Sequence, residues 1–488
     1  MAIPSDITTF DPRQARELTS TNLLHLVYSG LTRLAADGNI YPELAQSIEC
    51  SEDGVLYQII LRDALWSDGS PVTAEDFVYS WTSMLNKGHA FPNAHFLFWL
   101  RNGKDVYNGI QSSERLGVRA KGDRLLEVEL EQPCPFFKEL LSTLPYVAIP
   151  KKYALQGGTF KAANPAPSSG PYMFLEWIPQ SSIGLVKNEK YFGASHVKYE
   201  CLDFPIVEDT TAVSMIERHE LEWAGSPLGT LPIDVIHYLK GKNKLCTAPA
   251  LGTFFLRVNC LQSPLTDVRI RKALSLCIDR KALVEHVLQG GQIPAYGLVP
   301  PIMLKQNPSA DSPVEDPKSL LSDYCTETNT SPESIHLALL FGAGERSLKI
   351  AQVLQQDFKK HLGIDVELHP CETKQFFSKI SHLDYDIALS NWLPDYPDPH
   401  AFYSVFENAE NGTNNTGWES HVYQSLLCTS NEATDAAKRK ELFLKMEQLL
   451  ARELPIIPLF HASFTYINEG SSDGIRVSPF GYIDPIQP

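Results

Sequence analysis

The sequence has no run of 18 apolar residues, so no membrane-spanning helix can be read in it. It opens Met-Ala-Ile-Pro-Ser-Asp, with neither the basic n-region nor the apolar h-region of a secretory signal. Its nine cysteines, at 50, 134, 201, 246, 260, 277, 325, 371 and 428, include no CxxC pair. Zinc and thioredoxin-like redox motifs are therefore unsupported. The odd count leaves at least one thiol unpaired unless a second chain takes part, and many of the cysteines lie in apolar segments as expected small core residues. Cations are in deficit: 42 Lys and Arg face 58 Asp and Glu, a net charge of −16. That argues against nucleic acid or an anionic membrane as a main partner. There is no GxSxG, P-loop or HExxH, and no GxGxxG before a helix, so the motif routes to an enzyme are missing. Repeats and low-complexity tracts are absent as well.

What is present is an ordinary globular balance, 43% hydrophobic and 20% charged, over 488 residues. One core usually stops growing at roughly 250–300 residues, so two or more lobes are expected. Residues 61–81 are the most informative stretch. Tyr57, Ile59 and Leu61 alternate with Gln58 and Ile60, as on a strand with one buried face. Ser67-Asp68-Gly69-Ser70 is a turn cluster in which Gly69 can take positive φ. Thr73 is an N-cap, with Asp76 completing a short capping box. Phe77, Trp81, Met84 and Leu85 then fall on one helical face.

Strands and helices alternate along the rest of the chain. The apolar run 23–34 reads as a helix starting after Thr19-Ser20-Thr21. Leu125, Val128 and Leu130 mark a strand ending at Gln132-Pro133. Residues 164–171 form a breaker rich in Pro and Ser, with a strand starting at Tyr172. Residues 254–259 form another strand. Asp267 caps a helix through Cys277, and Asp279 caps the next, which stops at Gly290-Gly291. Ile335, Leu337, Leu339 and Phe341, then Ile350, Val353, Leu354 and Phe358, then Ile364, Val366 and Leu368 make a βαβ unit. Leu442, Phe443, Met446, Leu449 and Leu450 line a late helix before a strand over 456–460. The polar, Pro-rich segment 306–330 reads as surface loop or short helices.

Residues 61–81 resemble the signature of the peptide-binding proteins of ABC importers, extracytoplasmic solute-binding protein family 5 (oligopeptide- and dipeptide-binding). Further landmarks follow in order: Tyr28-Ser29-Gly30-Leu31, Ile40 to Ala45, Ser169-Gly170-Pro171-Tyr172, Leu185 to Phe192, Leu265 to Leu274, Ile278-Asp279-Arg280 and Trp392 to Pro399. The resemblance covers nearly the whole chain. It implies an α/β fold, a two-lobe periplasmic-binding-protein clamshell of the class II type with an extra subdomain. Lobe I would be 1–29, 153–252 and 465–488, discontinuous and joined by two hinge strands. The extra subdomain would be 30–152 and lobe II 253–464. A binding protein rather than an enzyme is implied, without metal or cofactor, acting as a monomer with an ABC permease in the membrane. Thr9-Phe10-Asp11-Pro12 is similar to the start of the mature family domain, so a removed signal segment and a periplasmic or extracytoplasmic location are expected. The family often carries a lipid-anchored cysteine, which is not visible here.

The resemblance also implies site residues. In relatives the peptide adds as a strand to protein backbone, which permits broad specificity. Here the backbone around Asn391 and Leu393 matches that strand, with 254–259 nearby. Asp395 matches the aspartate that binds the peptide α-ammonium; otherwise it is a turn residue in a Pro-rich loop. Trp392 packs on a ligand side chain or fills the core. The carboxylate end departs from the family. Some relatives have an arginine three residues before the tryptophan, where this chain has Leu389. Arg346, in the turn before the 350–358 helix, lies close to where relatives place a basic residue for the carboxylate; a solvated helix-start arginine is the alternative. Arg16 falls near a ligand-facing position where certain relatives carry an acid, and would favour extra negative charge on the ligand. Gly252 and Leu393 stand where some relatives have a cysteine pair. These departures keep a short or acidic peptide, glutathione included, open as the ligand. Rival readings are a metal-chelate binder using histidines such as His400, a peptide-binding chaperone or signalling receptor, and a hydrolase. His400 and His461 are isolated and read as structural.

Overall fold

The computed structural model describes every residue except 87, 89, 90, 162–164, 305–314, 411, 471–473, 487 and 488. The chain divides into two compact units, Met1–Ala248 with Phe464–Pro488, and Pro249–Ser463.

The first unit opens with helix α1 (Leu18–Val27), whose N-cap is Glu17. The helix expected over 23–34 therefore starts and ends earlier. Glu17 accepts the Ser20 N–H at 2.6 Å, so a carboxylate caps the helix and the Thr-Ser-Thr run lies inside it. Strands β1 (Ala45–Cys50) and β2 (Leu56–Leu61) precede helix α2 (Ala74–Met84), and β3 (Val118–Ala120) and β4 (Leu125–Glu129) follow it. The four strands form one sheet in the order β1–β2–β4–β3. Tyr57, Ile59 and Leu61 are buried and Ile60 is exposed, which is the alternation read from sequence. Gly69 turns with φ +85°.

Asp76 is the hub of residues 61–81. Its carboxylate accepts from Thr73 N at 2.8 Å, Trp66 Nε1 at 3.3 Å and Lys151 N at 2.8 Å. One buried carboxylate thus caps α2, orients a buried indole and ties in the segment after Pro150. A second sheet, β5 (Tyr172–Ile178), β6 (Ser182–Lys187) and β7 (Cys201–Pro205), follows, then the short strand β8 (Trp223–Gly225).

Strand β9 (Cys246–Val258) starts in the first unit and runs into the second. The second unit contains α3 (Val268–Leu276), α4 (Pro317–Thr328), β10 (His336–Gly342), α5 (Glu345–Leu362), β11 (Asp365–Cys371) and β12 (Ile387–Trp392), then α6 (His421–Glu432) and α7 (Ala436–Glu453). Strand β13 (Ile456–Asn468) returns the chain to the first unit, where its end pairs with β8. Asp279 caps a short helix, as read from sequence, which continues as a π-helix to Leu288. Within 306–330, read as surface loop or short helices, helix α4 takes the second form over 317–328. Asp316 accepts the Lys318 N–H, Pro317 occupies the first helical position, and Leu321, Tyr324 and Cys325 are buried at helical spacing. The rest of that expectation, 306–314, lies outside the described residues.

Two large apolar clusters and a smaller one around Leu340, Ile380, Tyr385 and Ala388 fill the second unit. Leu256, Leu339, Ile350, Leu354, Phe358 and Leu389 belong to one of the large clusters, on the α5 side of the sheet. Phe255, Leu298, Tyr403, Phe443 and Met446 belong to the other, under α7. At about 25 cal/mol per Å² of apolar surface, burying such side chains is the main stabilising contribution. Cys134, Cys277, Cys325 and Cys371 are buried as expected of small core residues, whereas Cys50, Cys201 and Cys428 are exposed.

Candidate ligand site in the second unit

Sheet register gathers most of the expected site residues. Strand β10 is parallel to both β11 and β12, pairing Gly342 with Cys371 and Leu340 with Ala388. Strand β9 runs antiparallel to β12, pairing Thr253 with Trp392 and Phe254 with Asn391. The carboxyl ends of β10, β11 and β12 therefore meet the amino half of β9 at one end of the sheet. That end is where ligands bind in open α/β sheets. Asn391, Trp392, Leu393 and Asp395 lie there along β12 and the loop after it. Arg346 joins them, because α5 starts three residues after β10 ends. It sits in the first turn of α5 and not in a turn before the helix. Arg16 belongs to the first unit, exposed in the segment before α1.

The side chains there differ in environment. Asn391 and Asp395 are exposed, as is Leu393. Trp392 is half-buried; its Nε1 donates to the Ala401 carbonyl at 2.7 Å and its ring packs on the cluster under α7. The core-filling alternative thus describes its observed contacts. Arg346 is half-buried, and burial holds its guanidinium pKa below the usual value. No hydrogen bond or ion pair among the described residues engages it. A desolvated cation of this kind is favoured by any anion that reaches it. Leu389 is buried in the other cluster, opposite Leu256, and Phe254 stacks on Phe460 with centroids 4.7 Å apart. An apolar wall therefore stands at this position of β12.

The two aspartates of the Asp-Tyr-Pro-Asp-Pro run have different roles. Asp398 is buried and grips Arg439 through two hydrogen bonds of 2.7 Å. It also accepts the His400 N–H at 2.8 Å. Arg439 further donates to the Ser430 carbonyl at 3.2 Å, with its guanidinium 4.6 Å from the Phe443 ring centroid. Tyr396 and His400 pair through the hydroxyl and Nδ1 at 2.6 Å. Burial lowers the His400 pKa to about 4, with Asp398 and Arg439 acting in opposite senses beside it. The loop is thus fixed by Asp398 while Asp395 is left exposed at its start. With Nδ1 taken and the ring buried, His400 is poorly placed for a metal chelate. Among the described residues no group of three or more His, Cys, Asp or Glu is assembled for a metal.

Gly252 is the next residue in register opposite Leu393, and a Cβ built on it would overlap the Leu393 side chain. The two positions singled out by the missing cysteine pair are therefore neighbours. Sequence reasoning did not find Thr253, which is fully buried, because it started the strand one residue later. The Thr253 hydroxyl donates to the Leu298 carbonyl at 2.7 Å and lies 2.9 Å from His461 Nδ1.

A mixed sheet whose strand ends gather an exposed carboxylate, an unengaged guanidinium and accessible backbone is an arrangement suited to holding a solute. The chain matches the model of the bacterial extracellular solute-binding proteins, family 5, over residues 39–414. It is 33% identical to the oligopeptide-binding protein OppA of Bacillus subtilis (strain 168), covering 99% of this chain and 90% of that one. It is 28% identical to the dipeptide-binding protein DppE of the same organism, over 98% of this chain and 89% of that one. Among solved structures, the periplasmic oligopeptide-binding protein OppAIV of Borrelia burgdorferi superposes with a TM-score of 0.77, at 26% identity, covering 99% of each chain. The chain belongs to the bacterial extracellular solute-binding proteins, family 5. This family consists of transport-linked binding proteins, and no helix among the described residues is long and apolar enough to cross a membrane.

Proposed function

We propose that this chain is the substrate-binding component of a peptide ABC importer, taking up a short peptide and delivering it to a membrane permease. The observation that carries the reading is the match to an oligopeptide-binding protein along 99% of the chain. The β12 end supports it: exposed Asn391 and Leu393 offer backbone for strand addition, and Asp395 offers a carboxylate for the peptide ammonium. Phe254 and Leu393 give an apolar floor that is indifferent to peptide sequence. Arg346 takes the ligand carboxylate and Arg16 favours additional negative charge. Lobe I is 1–29, 153–252 and 465–488, the extra subdomain 30–152 and lobe II 253–464. The mature protein works as a monomer outside the cytoplasm, with a lipid anchor as the family's usual tether.

Leu389 in place of a basic residue, together with unengaged Arg346, favours a second reading of the ligand as glutathione or a short acidic peptide. Native mass spectrometry followed by calorimetry with dipeptides, longer peptides and glutathione separates the two. Binding of amine-bearing ligands that weakens in Asp395→Asn supports the site. Absence of binding by every amine-bearing ligand, or equal affinity in Asp395→Asn, overturns it.

A further inference from the structure

Under the site strands of the second unit lies a chain of polar contacts that no solvent reaches. Glu447 on α7 is 3% exposed and faces no cation among the described residues. One carboxylate oxygen accepts the Leu298 N–H, and the other accepts the Tyr403 hydroxyl at 2.7 Å. The Leu298 carbonyl accepts the Thr253 hydroxyl at 2.7 Å. The single Thr253 proton is then committed, so His461 Nδ1, 2.9 Å away, must be the donor to that hydroxyl oxygen. His461 therefore carries a proton on Nδ1. Its Nε2 is buried with no hydrogen-bond partner among the described residues, and burial lowers its pKa to about 4. Thr253 is the cross-strand partner of Trp392.

A buried carboxylate without a cation is an unfavourable element in a core, and apolar residues would fill the same volume more stably. What the contacts do achieve is positional. The backbone of Leu298 is held on both sides of its Cα, its N–H by Glu447 and its C=O by Thr253. The Thr253 side chain is held on both sides, by Leu298 and His461. The backbone of β9 is thereby pinned opposite Trp392, beside the Asn391–Leu393 backbone offered to a ligand.

We propose that Glu447, acting through Leu298 and Thr253, is a positioning residue for peptide recognition, which sets the β9–β12 backbone that a peptide strand pairs with. The inference rests on the peptide-binding reading, and its test separates the two. Thr253→Val keeps shape and removes the hydroxyl, whereas Thr253→Ser restores it. Calorimetry with tri-alanine and penta-alanine, well below each variant's melting midpoint, is expected to show about tenfold weaker binding for Thr253→Val and near wild-type binding for Thr253→Ser. Glu447→Gln is expected to weaken binding likewise, and the double variant Thr253→Val/Glu447→Gln to be no weaker than Thr253→Val alone, because both act along one path. Hydrogen exchange in the ligand-free protein gives a readout independent of any ligand. Amides at 391–393 are expected to exchange faster in Thr253→Val than in Thr253→Ser or wild type. A merely structural network would lower the melting midpoint and leave affinity and local exchange unchanged, which overturns the proposal. Wild-type protein that binds no amine-bearing ligand, tri-alanine, penta-alanine, acidic peptides and glutathione included, would overturn the peptide reading, and the exchange comparison would then decide the positioning role by itself.

Discussion

Asp398 and Arg439 meet in a buried fork, each carboxylate oxygen 2.7 Å from one guanidinium nitrogen. Three residues away, Asp395 stands exposed. One loop therefore places one aspartate in the core and offers the other to solvent. Removing one partner of a buried pair strands the other charge, an effect of about 3–5 kcal/mol. Asp398→Asn is expected to move the urea unfolding midpoint well below wild type. Asp395→Asn is expected to leave it nearly unchanged and instead weaken an amine-bearing peptide by about 2–5 kcal/mol once the ligand covers the pair. Matching effects of the two variants on stability would contradict this division.

Arg346 supplies a second expectation. Its guanidinium is partly desolvated and unengaged among the described residues, so an arriving carboxylate meets no competing anion. Arg346→Ala is expected to weaken free-acid peptides by about tenfold or more and C-terminally amidated ones much less. Competition binding with matched acid and amide peptides measures this. Equal losses would remove the assigned role.

Gly252 and Leu393 invite a covalent check of strand register. Directly opposed residues on antiparallel strands have Cα atoms about 4.5–5.5 Å apart, inside the range a disulfide accepts. Gly252→Cys/Leu393→Cys is expected to oxidise spontaneously, giving two fewer reactive thiols than its reduced form. The closed loop is long, and stabilisation of up to about 4 kcal/mol is expected. Thiol titration under denaturing conditions gives the outcome; a failure to oxidise would refute the register at this end of β12.

His400 and His461 tie stability to acidity. Both are held neutral, each with a pKa lowered to about 4 by burial. The unfolded chain takes up these protons nearer 6.5, so it binds more protons than the folded chain between those values. The stabilisation is therefore present above about pH 6.5 and is lost as pH falls towards 4, by at most about 3 kcal/mol per histidine. Glu447 works in the opposite sense, because burial raises its pKa. The informative quantity is thus a difference. Wild type is expected to lose stability more steeply from pH 7 to pH 4 than His400→Asn or His461→Asn, as followed by urea denaturation. Parallel profiles would contradict the assigned titrations.

Local signals in the sequence were sufficient wherever a segment's own periodicity and caps agree with its environment. Thr73 and Asp76 at the start of α2, the βαβ unit through α5, and the apolar face of α7 are all of this kind. Elements whose polar residues are satisfied from far along the chain were less legible. Pro249 hid the start of β9 at Cys246, and His461 and Thr465 hid the length of β13. Asp316 and Pro317 start α4 inside a stretch whose composition left loop and short helix both open. The same divide applies at the site. Asn391 to Asp395 are contiguous and could be singled out together. The link from Thr253 to His461 joins residues 208 apart, and that from Leu298 to Glu447 joins residues 149 apart. Nothing local in a sequence encodes such pairings.

The first unit has a temporal consequence. Its strand β8 pairs with residues 466–468, Ile483 N–H is accepted by Asn22 on α1, and Asp484 accepts Arg33. The second unit, by contrast, is one uninterrupted segment. As the chain emerges from the ribosome, its earliest-made half has to wait for its last-made strand, while the later half can complete itself at once. With roughly 200 residues intervening, at about 5–20 residues per second, that wait is on the order of 10–40 s. For that interval the N-terminal segment is an unfinished structure whose completion depends on the last residues to be made.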